Sequence, residues 1–172
     1  MHARWTGLAA ALAVLMGAVA TTRAASVVNT FGSWTLYRDD SAGVLCFLAE
    51  SPSQSLPAGV NRDAPLLYVS AWVKDGVKAE ISVRLGFPAK KANEPMIGVS
   101  GRTGDVQAFK LFVKDDRAFV ADPTQELKLI EAMKKGSQLI VQATSERGTA
   151  VIDTYPLSGF TAALQALAGG CG

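Results

Sequence analysis

Histidine is all but missing from this sequence: the only one is His2. Its position decides what the scarcity means. Arg4 precedes an apolar run from Leu8 to Ala20, 13 residues, which gives way to Thr-Thr-Arg-Ala-Ala-Ser. A short positive end, an apolar centre and a small-residue exit read as a secretory leader. The run falls short of the roughly 20 apolar residues that a membrane-spanning helix needs. The expected division is a cleaved leader over residues 1–24 and one β-rich domain over 25–172, with cleavage after Ala20 or Ala24. The mature chain then holds no imidazole, and so no Ser-His or Cys-His pair, no histidine general base and no mixed histidine metal site. No cofactor is called for.

A surplus of charge is lacking too. The chain has 17 basic and 15 acidic residues, and Arg4 and Arg23 leave with the leader, so the mature part has 15 of each. Nucleic acid is not expected as a partner, because that binding needs a surplus of Lys and Arg facing phosphates. Attachment to anionic lipid fails on the same ground, and no span is expected once the leader is gone. Phosphate-loop and dinucleotide spacings are absent: "GVSGRTGD" has glycines without the strand-to-helix context, and Arg102 fills the last position of a Gly-x-Ser-x-Gly elbow.

Cysteine is also scarce, at two, Cys46 and Cys171. In the oxidising compartment to which the leader points, unpaired thiols join, and two cysteines allow one intramolecular connectivity. Cys46 lies in the strand-like "GVLCFLAE", so the bond would pin the chain end to the core. The sequence "GGCG" offers no basic neighbour to activate a thiol.

What is present is mostly strand. In "VKAEISVRLGF", Val77, Ala79, Ile81, Val83, Leu85 and Phe87 alternate with Lys78, Glu80, Ser82 and Arg84, which predicts a strand with one wet face. Asp75-Gly76 before it suits a tight turn, making residues 66–87 a hairpin. Further strand pairs bracket Asp39–Gly43, Asp115-Asp116 and Glu146-Arg147-Gly148. The acidic pairs sit where turns favour Asp. Asp122, Pro123 and Gln125 open a helix with Leu127, Ile130 and Met133 as its apolar stripe and Gly136 as its stop. A second helix, capped by Ser158, presents Phe160, Ala163, Leu164 and Leu167. The predicted fold is mainly β, an antiparallel sandwich or flattened barrel of eight to ten strands with two short helices, the second at the C-terminus.

The leader, the opening "FGSWTLYRDD", a strand cysteine and the close "YPLSGFTAALQALAGGC" together resemble the invasion-associated locus B family of small Gram-negative envelope proteins. Gly32 and Trp34 match its Gly-x-Trp opening; Leu157, Ser158, Gly159, Phe160, Ala162, Ala163 and Leu164 match its close. Many members carry a cysteine soon after the opening Trp and a further mid-chain pair. Here Tyr37-Arg38 stands at the first place and nothing at the second, so the chain resembles a divergent branch with one bridge. The resemblance implies a periplasmic or secreted accessory protein, non-enzymatic, that binds another protein or an envelope component and is linked to host-cell contact.

Candidate binding residues are the aromatic set Trp34, Tyr68 and Trp72, and Lys90-Lys91 in "FPAKKANEP". Tyr68, Ser70 and Trp72 fall on one strand face, with Leu67, Val69, Ala71 and Val73 on the other. Two other readings compete: a hydrolase or transferase using Ser-Lys or paired carboxylates, and a small-ligand carrier with an apolar cavity.

Overall fold

The alternation of apolar and polar residues sets the frame. The computed structural model describes residues 24–41, 43–72, 76–101 and 104–171. The proposed leader lies outside them, apart from Ala24, as do Val73, Asp75 and Arg102. The strands are β1 (Ser26–Phe31), β2 (Trp34–Asp39), β3 (Leu45–Glu50), β4 (Gln54–Leu56), β5 (Leu66–Trp72), β6 (Val77–Arg84), β7 (Met96–Ser100), β8 (Val106–Lys114), β9 (Arg117–Val120), β10 (Gln138–Thr144) and β11 (Ala150–Pro156). The helices are α1 (Pro123–Lys135) and α2 (Phe160–Ala168). The mainly antiparallel architecture and the C-terminal helix are as the sequence predicts; among the described residues the strands number eleven, not eight to ten.

All eleven form one open sheet in the order β1-β2-β3-β5-β6-β9-β8-β7-β10-β11-β4. It turns on β8, which changes partner along its length. Val106–Lys110 pair with β7, whereas Leu111–Lys114 pair with β9. The two halves of the sheet and both helices then share one core, from Trp34, Leu48 and Val69 through Ile97, Leu139 and Tyr155 to Met133 and Phe160.

Both helices depart in detail from the sequence expectation. Asp122 caps α1 as foreseen, accepting from the N–H groups of Thr124 and Gln125. The buried stripe of α1, however, is Leu129, Ile130, Ala132 and Met133, and Leu127 is left 65% exposed. The cap of α2 is Gly159 at φ 88°, not Ser158. Ser158 is drawn instead into a backbone contact with the β1–β2 turn.

Candidate functional site

Two clasps join the beginning of the domain to its end. In the first, the Gly32 turn (φ +62°) lies against the Ser158-Gly159 turn so closely that a Cβ on Gly32 would sit 2.6 Å from the Ser158 carbonyl oxygen. The Ser33 hydroxyl reaches the same oxygen at 3.5 Å. Directly beneath, the rings of Trp34 and Phe160 pack 5.0 Å apart, and both side chains are buried. The second clasp is the Cys46–Cys171 disulfide, the pairing the sequence predicts, with its Cα atoms 5.8 Å apart. Trp34 is therefore a core residue at 0% exposure, and its place on a binding surface is corrected here: β2 turns its even-numbered side chains Trp34 and Leu36 inward.

The opposite face of the same strands is aromatic. Tyr37 stacks on Phe47 at 5.1 Å, Phe47 meets Tyr68 at 6.0 Å, and the Arg117 guanidinium lies over the Tyr68 ring at 5.2 Å. Phe112 stacks on Phe119 at 5.5 Å. Cross-strand register aligns these rings: Ser82 stands between Tyr68 and Phe119, and Leu45 beside Trp72. Ser82 is consequently buried, where a wet face was expected, because large rings flank it on both neighbouring strands. Trp72 and Phe112 are the most open of the set, at 40% and 47%. No described element packs over this face. Exposed aromatic area of this kind marks interaction sites.

Lys90 and Lys91 are exposed, but they stand apart from the rings. They lie in the β6–β7 loop, which is tied to the β10–β11 end of the sheet by an Ala89–Ser145 bridge and a 2.8 Å bond from the Lys90 N–H to the Thr144 carbonyl. Of the candidate surface, Tyr68 and Trp72 come together, while Trp34 and the lysines do not join them. Tyr37, Phe47, Phe112, Phe119 and Arg117 were missed. Their signal was the odd-even pattern of β2 and β3, which puts Tyr37 and Phe47 opposite the buried Leu36 and Cys46.

Two buried polar arrangements bear on catalysis. Arg62 donates to both carboxylate oxygens of Asp153, to the Leu85 carbonyl at 2.9 Å and to the Ser55 hydroxyl at 3.2 Å. Ser55 in turn donates to Asp153 at 2.6 Å. With side chains 5% and 2% exposed, Arg62 and Asp153 lock the β4–β5 loop to β11 and β6. They leave no room for a substrate between them. Glu50, 7% exposed, has its pKa pushed up to about 7 by burial, against the opposing pull of the Ser33 hydroxyl and the Ser51 N–H. Its Oε2, the Trp34 Nε1 and the Tyr155 hydroxyl have no hydrogen-bond partner among the described residues. The acidic pairs serve turns: Asp39 accepts from Ser41, which holds its carboxyl below the ordinary value, and Asp115 takes φ 57° between β8 and β9. Among the described residues no group of three or more His, Cys, Asp or Glu could hold a metal ion.

Comparison with known proteins places the chain in a family. The profile of the family described as Invasion associated locus B (IalB) protein matches residues 52–168, more than half of the sequence. The chain belongs to the invasion associated locus B family. The matched span takes in the Leu157–Phe160 turn and α2, but begins after Gly32 and Trp34, which the structure brings against that turn. Among solved structures, the chain is similar to invasion associated protein B from Bartonella henselae, at 18% identity, with a TM-score of 0.58 over 82% of this chain and 95% of that one. That likeness establishes a shared fold. No curated protein matches the sequence.

Proposed function

We propose that this IalB-family protein is an exported, non-catalytic accessory protein that binds another protein or envelope component through the aromatic face of β2, β3, β5, β6, β9 and the C-terminal part of β8. The observation that carries the reading is the ring series Tyr37, Phe47 and Tyr68 beneath Arg117, continued by exposed Trp72, on the sheet face turned away from the core. The oxidised Cys46–Cys171 bond is in keeping with export to a periplasmic or extracellular site. The invasion named in the family description and in the name of the Bartonella protein suggests contact with a host cell as the setting.

The test is crosslinking of the mature protein in its own envelope, with an unrelated exported protein as control. A partner captured by the native protein and lost from a folded Tyr68→Ala, Trp72→Ala variant supports the reading. Capture that is indifferent to those changes, or catalytic turnover abolished by one point substitution, overturns it.

A further inference from the structure

Because β8 changes partners at its middle, one stretch of it has a neighbour on one side only. Along a strand, successive residues direct their N–H and C=O groups to opposite sides. Gly101 N–H donates to the Asp105 carbonyl and Leu111 N–H donates to the Pro95 carbonyl, so the odd-numbered positions of β8 face β7. The register from Val106 to Lys110 is unbroken. The N–H and C=O groups of Val106, Ala108 and Lys110 therefore point the other way; the Leu111–Val120 pair sets the Lys110 carbonyl opposite the chain just after β9, and β9 does not reach Val106 and Ala108. Among the described residues nothing is hydrogen-bonded to Val106 and Ala108 on that side. On β6, by contrast, the Ile81 N–H just beyond the end of β9 is taken up by the Glu126 carboxylate at 2.7 Å.

Helix α1 forms a wall beside this edge. Thr124, Leu127, Lys128 and Glu131 face Gln107 and Phe109 across a cleft of about 500 Å³. The cleft continues past Lys135 into a second, of about 390 Å³, that ends at Asp105 and Gly136. Leu127, the residue that left the expected apolar stripe, supplies an exposed apolar contact. Lys128 and Lys135 lie on one helix face, about 10 Å apart at ~1.5 Å per residue. Glu131 between them is paired with Lys134 at 2.8 Å, so the two lysines leave the wall positive.

We propose that the open edge of β8 at Val106–Phe109, walled by α1, receives an extended acidic segment of a partner protein as an added β-strand. Main-chain bonds to Val106 and Ala108 would hold it, as in other strand-addition complexes. Its alternate side chains would meet Leu127, Lys128 and Lys135. Charge also selects against a second copy of this chain, which would set its own Lys128 and Lys135 against these. This groove is distinct from the aromatic face, and either reading stands if the other fails.

The test uses the mature disulfide-bonded protein and a fluorescein-labelled octapeptide, with glutamate and leucine in one alternating set and threonine in the other, followed by anisotropy. Saturable binding is expected, at least about tenfold weaker when lysine replaces the glutamates or in Lys128→Glu, Lys135→Glu protein. Ala108→Pro removes an outward N–H without touching the ladder to β7, a placement proline tolerates, and abolishes binding. The peptide N-methylated at alternate residues gives the same loss on unaltered protein, whether or not the proline variant folds. Tyr68→Ala leaves binding unchanged. No binding by the native protein, or binding indifferent to N-methylation, overturns the proposal. A concentration-dependent dimer lost in Ala108→Pro would overturn it in favour of self-pairing.

Discussion

Gly32 and Gly159 meet back to back, each in the left-handed region (φ +62° and +88°) and each with the carbonyl of the residue before the other where its own Cβ would stand. A Cβ on Gly159 would overlap the Phe31 carbonyl, and one on Gly32 would press on Ser158. The Gly32 and Gly159 turns are thus two halves of one contact, and Trp34 and Phe160 are its apolar floor.

Gly159→Ala should be among the most damaging single-methyl changes in the protein. It combines the cost of positive φ, about 1–2 kcal/mol, with overpacking against backbone of about 1–3 kcal/mol. Urea unfolding should show a loss of roughly 2–5 kcal/mol, whereas Gly148→Ala, with open space around its Cβ, should lose only the φ contribution. Equal losses at the two sites would contradict the clasp.

Replacing Cys46 and Cys171 together by Ala should lower stability by about 3–5 kcal/mol, since the bond closes a loop with a sequence separation of 125. The effect should be local first. α2 has no side-chain cap and no charged residue in either end turn, so its amides should exchange faster than those of β5 and β6. Uniform acceleration across the sheet would argue against a clamp on the helix.

Burial makes Glu50 a pH-dependent liability. Its ordinary pKa of 4.5 rises to about 7 in the folded protein, so between these values the native state holds more protons than the unfolded chain. Stability is then greatest below about pH 4.5 as far as this group is concerned, falls as pH rises, and levels off above about pH 7. Glu50→Gln cannot ionise and should raise the melting temperature at about pH 8 by a few degrees, on the order of 1–3 kcal/mol, with the difference closing towards about pH 4. A melting series from about pH 4 to 8 with identical slopes for both proteins would refute this.

Arg62→Met leaves Asp153 buried without its cation and should cost about 3–5 kcal/mol. Arg62→Met with Asp153→Leu should recover much of that loss, because two apolar groups need no partner. A double-mutant cycle in urea measures the coupling; additive losses would mean the pair does not act as a unit.

The long alternating runs were legible from residues alone. β5 and β6 follow the Leu67-Val69-Ala71 and Ile81-Val83 pattern, and turns fall at Asp115-Asp116 and at Glu146-Arg147-Gly148. Shorter or exposed strands were not legible. β4 is three residues of polar edge, β1 exposes Val27 and Val28, and β7 compresses Ile97 and Val99 between Pro95 and Gly101. The aromatic face was half visible: period two places Tyr68 with Trp72, but the partners Phe47 and Phe119 come from cross-strand register, which depends on contacts distant in sequence. Trp34 was misplaced because an alternating strand does not say which face is inward; α2 decides that, by laying Phe160 on it. The Arg62–Asp153 pair, 91 residues apart, left no sequence signal at all.

The sulfur link between Cys46 and Cys171 turns most of the polypeptide into a covalent ring, leaving β1 and β2 as a short tail. One hydrolysed peptide bond anywhere in the ring, whether in the β6–β7 loop or the β10–β11 turn, cannot release a fragment. Wherever proteases are present, a molecule cut once in the ring would remain a single covalent particle.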